Sequence, residues 1–224
     1  MDSTSLIRAV RAELGDAVEP YFITDAQLLR YIDEAQKMFC RIEGGIPDII
    51  DVPYQAGDEH IPLSGRILKI RSAQKIEPSG KSAIPVLNVE DVPRLRGVDD
   101  YGAVPNGAIN SAPGSVQGLV IGAKHGALML HPTSAEDAVI RLFVFRTPLT
   151  DITDLGQEFE IAEQHHYSLS YWVKHLVLST HDSEVFGKEI NGENKVKFLE
   201  YCNLAKRDRE RLEHKPRSVA YGGY

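Results

Sequence analysis

The hydrophobic period of this chain changes twice, and that change limits the fold more than any single motif does. At both ends apolar residues recur every three or four positions, the period of a helix packed on one side. Over residues 48–148 the pattern shortens to β-rich runs broken by Gly, Pro and Asn. The expected architecture is α+β. The two ends, residues 1–47 and 155–216, make one helical bundle, an antiparallel β-rich domain is inserted over 48–154, and 217–224 form a short tail.

Leu6, Ile7, Val10 and Leu14 predict a short amphipathic helix stopped by Gly15. Thr24 and Gln27 make a Thr-x-x-Gln capping box, in which the Gln side chain reaches back to the cap amide. From there Leu28, Leu29, Ile32, Ala35, Phe39 and Ile42 predict a second helix, ended by Gly44, Gly45 and Pro47. Helical rhythm returns over 160–180, where Ile161, His165, Leu169, Trp172 and Leu176 form a stripe with Tyr171 and Val177 beside it. Gly187 and Gly192 read as breaks, and a last helix follows over 193–215. Its stripe of Val196, Leu199 and Cys202 fades after Leu204 into a run that is almost all charge, ended by Pro216.

In the middle, strands are expected over 49–54, 67–76, 119–121, 127–131 and 139–146. Lys124, His125 and Gly126 predict a hairpin, because Gly supplies the positive φ a tight turn needs. Residues 89–95 suggest one helical turn. Gly97, Gly102, Gly107, Gly114 and Gly118, with Pro105 and Pro113, predict a long exposed loop over 97–118.

Composition narrows the function. The 224 residues carry 25 Lys and Arg against 32 Asp and Glu, a formal charge of -7, which argues against a surface that clamps nucleic acid throughout. The only cysteines, Cys40 and Cys202, lie inside helical patterns far apart, so a disulfide framework is not expected and folding in a reducing cytoplasm is. Residues 1–15 lack the apolar run of a secretory signal, and no run is long enough for a membrane span.

Few residues point to catalysis. Glu163 and His166 form Glu-x-x-His, which on a helix puts a carboxylate and an imidazole on one face as in di-iron bundles. That chemistry needs a second such motif, which the chain lacks, so a boundary histidine beside a solvated acid is the simpler reading. Ser64 and Ser115 sit in turn contexts with no base placed beside them, and Asp99 and Asp100 fit a turn. The last helix offers more. Lys206 with Glu210 and Arg209 with Glu213 suit a solvated face of intrahelical pairs, or the same face could dock on a partner. Tyr221 and Tyr224 are amphipathic anchors on a segment with no core of its own.

The order of elements resembles a known family. The run Ile23-Thr24-Asp25-Ala26-Gln27-Leu28-Leu29-Arg30-Tyr31-Ile32-Asp33-Glu34-Ala35-Gln36 is similar to a helix of bacteriophage head-to-tail adaptor (connector) proteins, the tail tubular protein A-like group. Ile61-Pro62-Leu63, the strand over 67–76, Ala127-Leu128-Met129-Leu130-His131-Pro132 and Glu158-Phe159-Glu160-Ile161 follow in the same order, with His131 where the family more often has Tyr. The resemblance covers roughly residues 6–212. It implies a structural virion protein, not an enzyme and without cofactor or metal, assembled in the bacterial host cytoplasm. It further implies a dodecameric ring between the portal and the tail nozzle, with genome DNA passing through the channel. Leu29, Ile32, Ile161, Leu169, Trp172 and Leu176 would then form the bundle core. Lys206, Arg207, Arg209, Arg211, Arg217, Tyr221 and Tyr224 would face the portal, and the β-insert the nozzle. An acidic net charge suits a channel through which DNA slides without being gripped. The competing readings are a metal-dependent helical enzyme using Glu163 and His166, and a nucleic-acid-binding module using the basic residues of the last helix.

Overall fold

The computed structural model describes residues 1–77, 80–89, 113–180 and 188–213. Most of the loop expected over 97–118, the turn over 89–95 and the tail over 217–224 lie outside those residues. The chain divides into two compact units, Met1–Ile46 with Pro148–Tyr224, and Pro47–Thr147.

The first unit is helical. Helix α1, Ser3–Leu14, begins where the Asp2 carboxylate accepts from the Ser5 amide at 2.9 Å, and ends at Gly15, whose φ of 71° is left-handed. Helix α2, Asp25–Glu43, starts with the capping box read from Thr24 and Gln27 and stops at Gly44. A 3-10 turn, Glu163–Ser168, leads into α3, Leu169–Thr180, and the chain returns as α4, Lys188–Glu213. All four helices contribute to one apolar cluster that includes Leu6, Leu28, Ile32, Leu169, Val173 and Phe198.

The single α-helix expected over 160–180 is therefore two elements. The chain leading into them is tied to distant partners, Glu158 to Asp2 by a β-bridge and the Glu160 amide to Gln36 Oε1 at 2.9 Å, and Ala162, at ψ 138°, keeps the backbone out of helical conformation until Glu163.

The second unit holds two four-stranded sheets. One has the order β1 (Ile46–Tyr54), β8 (Ala138–Arg146), β3 (Ile67–Glu77), β4 (Gly80–Ile84). The other has the order β2 (His60–Pro62), β7 (Ala127–His131), β6 (Gly118–Lys124), β5 (Val86–Asn88). Ile140, Leu142, Val144 and Ala73 of the first share a core with Ile61, Leu119, Leu128 and Leu130 of the second. The β6–β7 hairpin forms as expected, with Gly126 at φ 68°.

The insert is not wholly antiparallel. β5 runs parallel to β6, in the register Val86 to Leu119. The connection between Asn88 and Gly118 is long enough for such a crossover, which a tight hairpin could never make. Strands β4 and β5 escape sequence patterning because the first, Gly-Lys-Ser-Ala-Ile, is an edge strand with little alternation and the second has three residues. Their pairing comes from the neighbouring strand.

Lys75 on β3 is 1% exposed, yet its ammonium donates to Ser115 Oγ at 2.8 Å and pairs with Glu136 at 2.6 Å and Glu77 at 2.8 Å. Burial works against the charge, but the two carboxylates outweigh it and raise the Lys75 pKa. The result ties the end of β3 to the approach to β6 and to the turn before β8.

Candidate functional site

The last helix carries the surface singled out from sequence, and the structure places its buried side differently. Among the described side chains of α4 the buried ones are Asn194, Phe198, Cys202 and Ala205, spaced by four, four and three. Phe198 packs on Trp172 at 4.9 Å and on Phe39 at 6.5 Å between ring centroids. Burying a side chain of that size contributes about 2–3 kcal/mol, so Phe198 sets the rotation of the helix. Val196, expected on the stripe, is 53% exposed in consequence. Gly192 does not break the helix: Asn194 donates to the Ile190 carbonyl at 3.0 Å, and Asn191 reaches Ser179 Oγ at 3.0 Å, holding the first turns on α3. These contacts offset the roughly 1 kcal/mol that a glycine costs within a helix.

Continuing the buried stripe by four residues leads to Arg209. Its guanidinium donates to the carbonyls of Glu43 and of Gly45, the latter at 3.1 Å, and pairs with Glu43 Oε1 at 3.1 Å. Arg209 thus satisfies carbonyls that the end of α2 leaves open, with its charge at the negative end of the helix dipole. Gly44 is required beneath it. A Cβ there would lie 2.0 Å from Arg209 Nη2, and the φ of 114° already disfavours any other residue.

Of the other basic residues assigned to the partner-facing set, Lys206, Arg207 and Arg211 are exposed, and Arg211 pairs with Asp208 at 3.3 Å. Arg217, Tyr221 and Tyr224 lie outside the described residues. Beside the cations, α4 exposes Tyr201, Leu204 and Leu212. Tyr201 stacks on Tyr171 at 5.7 Å, and Tyr171 meets Tyr167 edge-on at 6.0 Å. Tyr167 donates to Glu13 at 2.7 Å, a bond that pushes its phenol pKa up to about 12. Glu13 also pairs with the buried Lys174. Of the residues expected in the helical core, Leu29, Ile32, Ile161, Leu169 and Trp172 are buried and Leu176 is partly buried against them.

A second surface lies along the first half of α2. Asp25, Ala26, Leu29, Arg30 and Asp33 line a shallow groove with residues 151–155. Lys37 fastens its two walls, bridging Asp33 at 2.6 Å and Asp151 at 2.7 Å. The start of α2 is held by Arg11, 5% exposed, which pairs with Asp16 at 2.5 Å and Asp25 at 2.7 Å and donates to the Ile23 carbonyl at 2.7 Å. Arg11 looks like an ordinary surface residue of α1 in sequence, and only Asp16 just past the helix hints otherwise.

Glu163 and His166 occupy different surroundings. The Glu163 side chain is 86% exposed beside the N-terminal ammonium, whereas His166 is buried edge-on to Phe159, with Nε2 at 2.8 Å from the Ile161 carbonyl oxygen. Among the described residues no group of three or more His, Cys, Asp or Glu could hold a metal ion. Nor is any described helix long and apolar enough to cross a membrane.

The family model described as SU10 adaptor protein matches residues 1–197 of this chain. No curated protein matches the chain.

Proposed function

The chain belongs to the SU10 adaptor protein family, and from that premise we propose that it forms a ring between the portal and the tail, with genome DNA passing through its channel. Membership makes it a structural phage head-to-tail adaptor, associated with other head and tail proteins in the virion. In the finer reading the helices form a bundle that makes the ring body, in the manner of tail tubular protein A, with twelve copies as the resemblance implies. Lys206, Arg207, Arg211 and the tail residues Arg217, Tyr221 and Tyr224 face the portal, Arg209 fixes the helix that presents them, and the β-rich unit faces the nozzle.

The observation that carries this reading is the surface of α4. It exposes Tyr201 and Leu204 among cations beside a stripe that is already packed, and Leu212, seven residues past Ala205, carries that stripe on uncovered, an arrangement suited to a partner. Electron microscopy of the protein mixed with its portal tests it. The expected result is a collar at the narrow end of the portal; portals that remain bare refute the proposal.

The nucleic-acid reading keeps one supporting observation, the exposure of Lys206, Arg207 and Arg211. It requires DNA affinity that falls steeply with salt. Absence of binding at low salt removes it.

A further inference from the structure

The β-rich unit carries a surface that its own packing leaves unexplained. Along β8, Ile140, Leu142 and Val144 enter the shared core, so Val139, Arg141, Phe143 and Phe145 face the other way, where a sheet face in water would be mostly polar. On that side Pro47 and Ile49 of β1, Phe143 and Phe145 of β8, and Arg71 and Ser72 of β3 line an open cleft of about 690 Å³. Ile49 is 57% exposed and Phe143 half-buried.

The charges around this cleft do not balance. Asp48, which also lines it, is fully engaged: one oxygen accepts from Arg146 Nε at 2.5 Å and the other from the Ile49 amide at 2.7 Å. Asp51, the next acid along β1, holds Arg141 through both oxygens, at 2.7 and 2.6 Å. Lys69 and Arg71 of β3 are exposed and form no ion pair among the described residues, and from His60 to Ile76 the chain has four basic residues and no acidic one. Lys69 lies opposite Phe145, which puts it on this face. The register of β3 on β8 shifts between Ile70 and Ser72, leaving Arg71 without an opposite residue, and such irregularities re-aim side chains. Cations that only guard a strand edge need no cleft of phenyl rings beside them.

We infer that this cleft takes an extended segment of the adjoining tail protein, seating an apolar side chain on Ile49 and Phe143 and a carboxylate on Arg71 and Lys69. A carboxylate suits the site because a guanidinium can hold both of its oxygens. DNA would meet only two free cations here, which releases too few counterions for firm binding. The inference rests on the reading above in which the β-rich unit faces the tail, and it names the surface and the chemistry of that contact.

The test uses the full chain assembled on its portal, together with the purified tail protein. With the photo-cross-linking residue p-benzoylphenylalanine in place of Ile49, irradiation should join the adaptor to the tail protein, and mass spectrometry should place the adduct beside an Asp or Glu. The cross-link reads the site without altering its charge. In a binding titration, Lys69→Glu with Arg71→Glu should weaken tail binding about tenfold and remove most of its salt dependence. Lys124→Glu, exposed at the tip of the β6–β7 hairpin, should leave binding unchanged. Collars of the double variant that bind the tail protein as tightly as the parent overturn this inference and leave the adaptor reading intact. So does a collar whose position 49 cross-links to nothing, or to the portal, DNA or a second copy. Bare portals overturn both.

Discussion

Replacing Arg209 by Ala should loosen the helical unit by an amount the structure sets. Two charge-assisted hydrogen bonds to the Glu43 and Gly45 carbonyls disappear, each about 1.5 kcal/mol at the low end of the range. The Arg209 side chain is 21% exposed, so water takes up part of the loss and the expected cost is about 2 kcal/mol. Trp172, the only tryptophan, sits against Phe198 in the same unit, so its fluorescence during urea denaturation reports this unit. With a slope near 2 kcal/mol/M, the midpoint should fall by about 1 M. Arg209→Lys should recover less than half, because a single ammonium lacks the fork that reaches two carbonyls. Gly44→Ala should cost more than Arg209→Ala, since it strains the backbone and displaces the guanidinium. In the Arg209→Ala background it should cost only the backbone part. A midpoint shift below about 0.2 M for Arg209→Ala, or strict additivity of the pair, would refute the cap.

Three further outcomes follow from the remaining buried charges. Arg11→Ala should cost about 3 kcal/mol by the same fluorescence assay, because it leaves the nearly buried Asp16 without its ion-pair partner; a cost under 1 kcal/mol contradicts that role. In the β-rich unit, Lys75→Met should retain more hydrogen-exchange protection along β3 than Lys75→Ala, since Met keeps the buried volume while the half-exposed Glu136 can hydrate. Equal protection in the two variants would show that volume there is immaterial. Asp48 is held below the ordinary aspartate value of 3.8, chiefly by its hydrogen bond from Arg146. A depressed folded-state pKa contributes stability above 3.8 that is lost as pH falls through the native value. Asp48→Asn should therefore be less stable than the parent at neutral pH and converge with it in acid; a gap that persists at pH 2 argues against the linkage.

The legible parts of the fold were those in which the deciding residues are neighbours in sequence. Thr24 with Gln27 set the start of α2, Gly15 and Gly44 end the first two helices, and Gly126 turns the β6–β7 hairpin. Each acts within a few residues, and no distant group is needed to see it. The late start of the helical segment was hidden because the residues before it are tied to groups far away in sequence, Glu158 to Asp2 and Glu160 to Gln36. The rotation of α4 was hidden because its sequence carries apolar residues on more than one side. Val196, Leu199 and Cys202 look as coherent as Phe198, Cys202 and Ala205 until Trp172 and Phe39 are present to favour the larger ring.

Basic residues on the last helix were recognisable as a surface, but their division of labour was not. Arg209 differs from Arg207 and Arg211 only in lying on the buried stripe. Nothing local marks it, since its partner at Gly45 is 164 residues away.

By itself, then, the order of residues determined the alternation of helical and β-rich segments, the helix caps, the net charge and the likeness to head-to-tail adaptors. These depend on local dihedral preferences, short-range hydrogen bonds and composition. Tertiary structure alone decided that Arg209 caps α2 while Lys206, Arg207 and Arg211 stay exposed, and that Lys75 and Arg11 are buried among carboxylates. The reason is physical: burial and ion pairing depend on which surfaces meet, and those meetings join residues from 5 to 164 positions apart, with nothing in the intervening sequence to mark them.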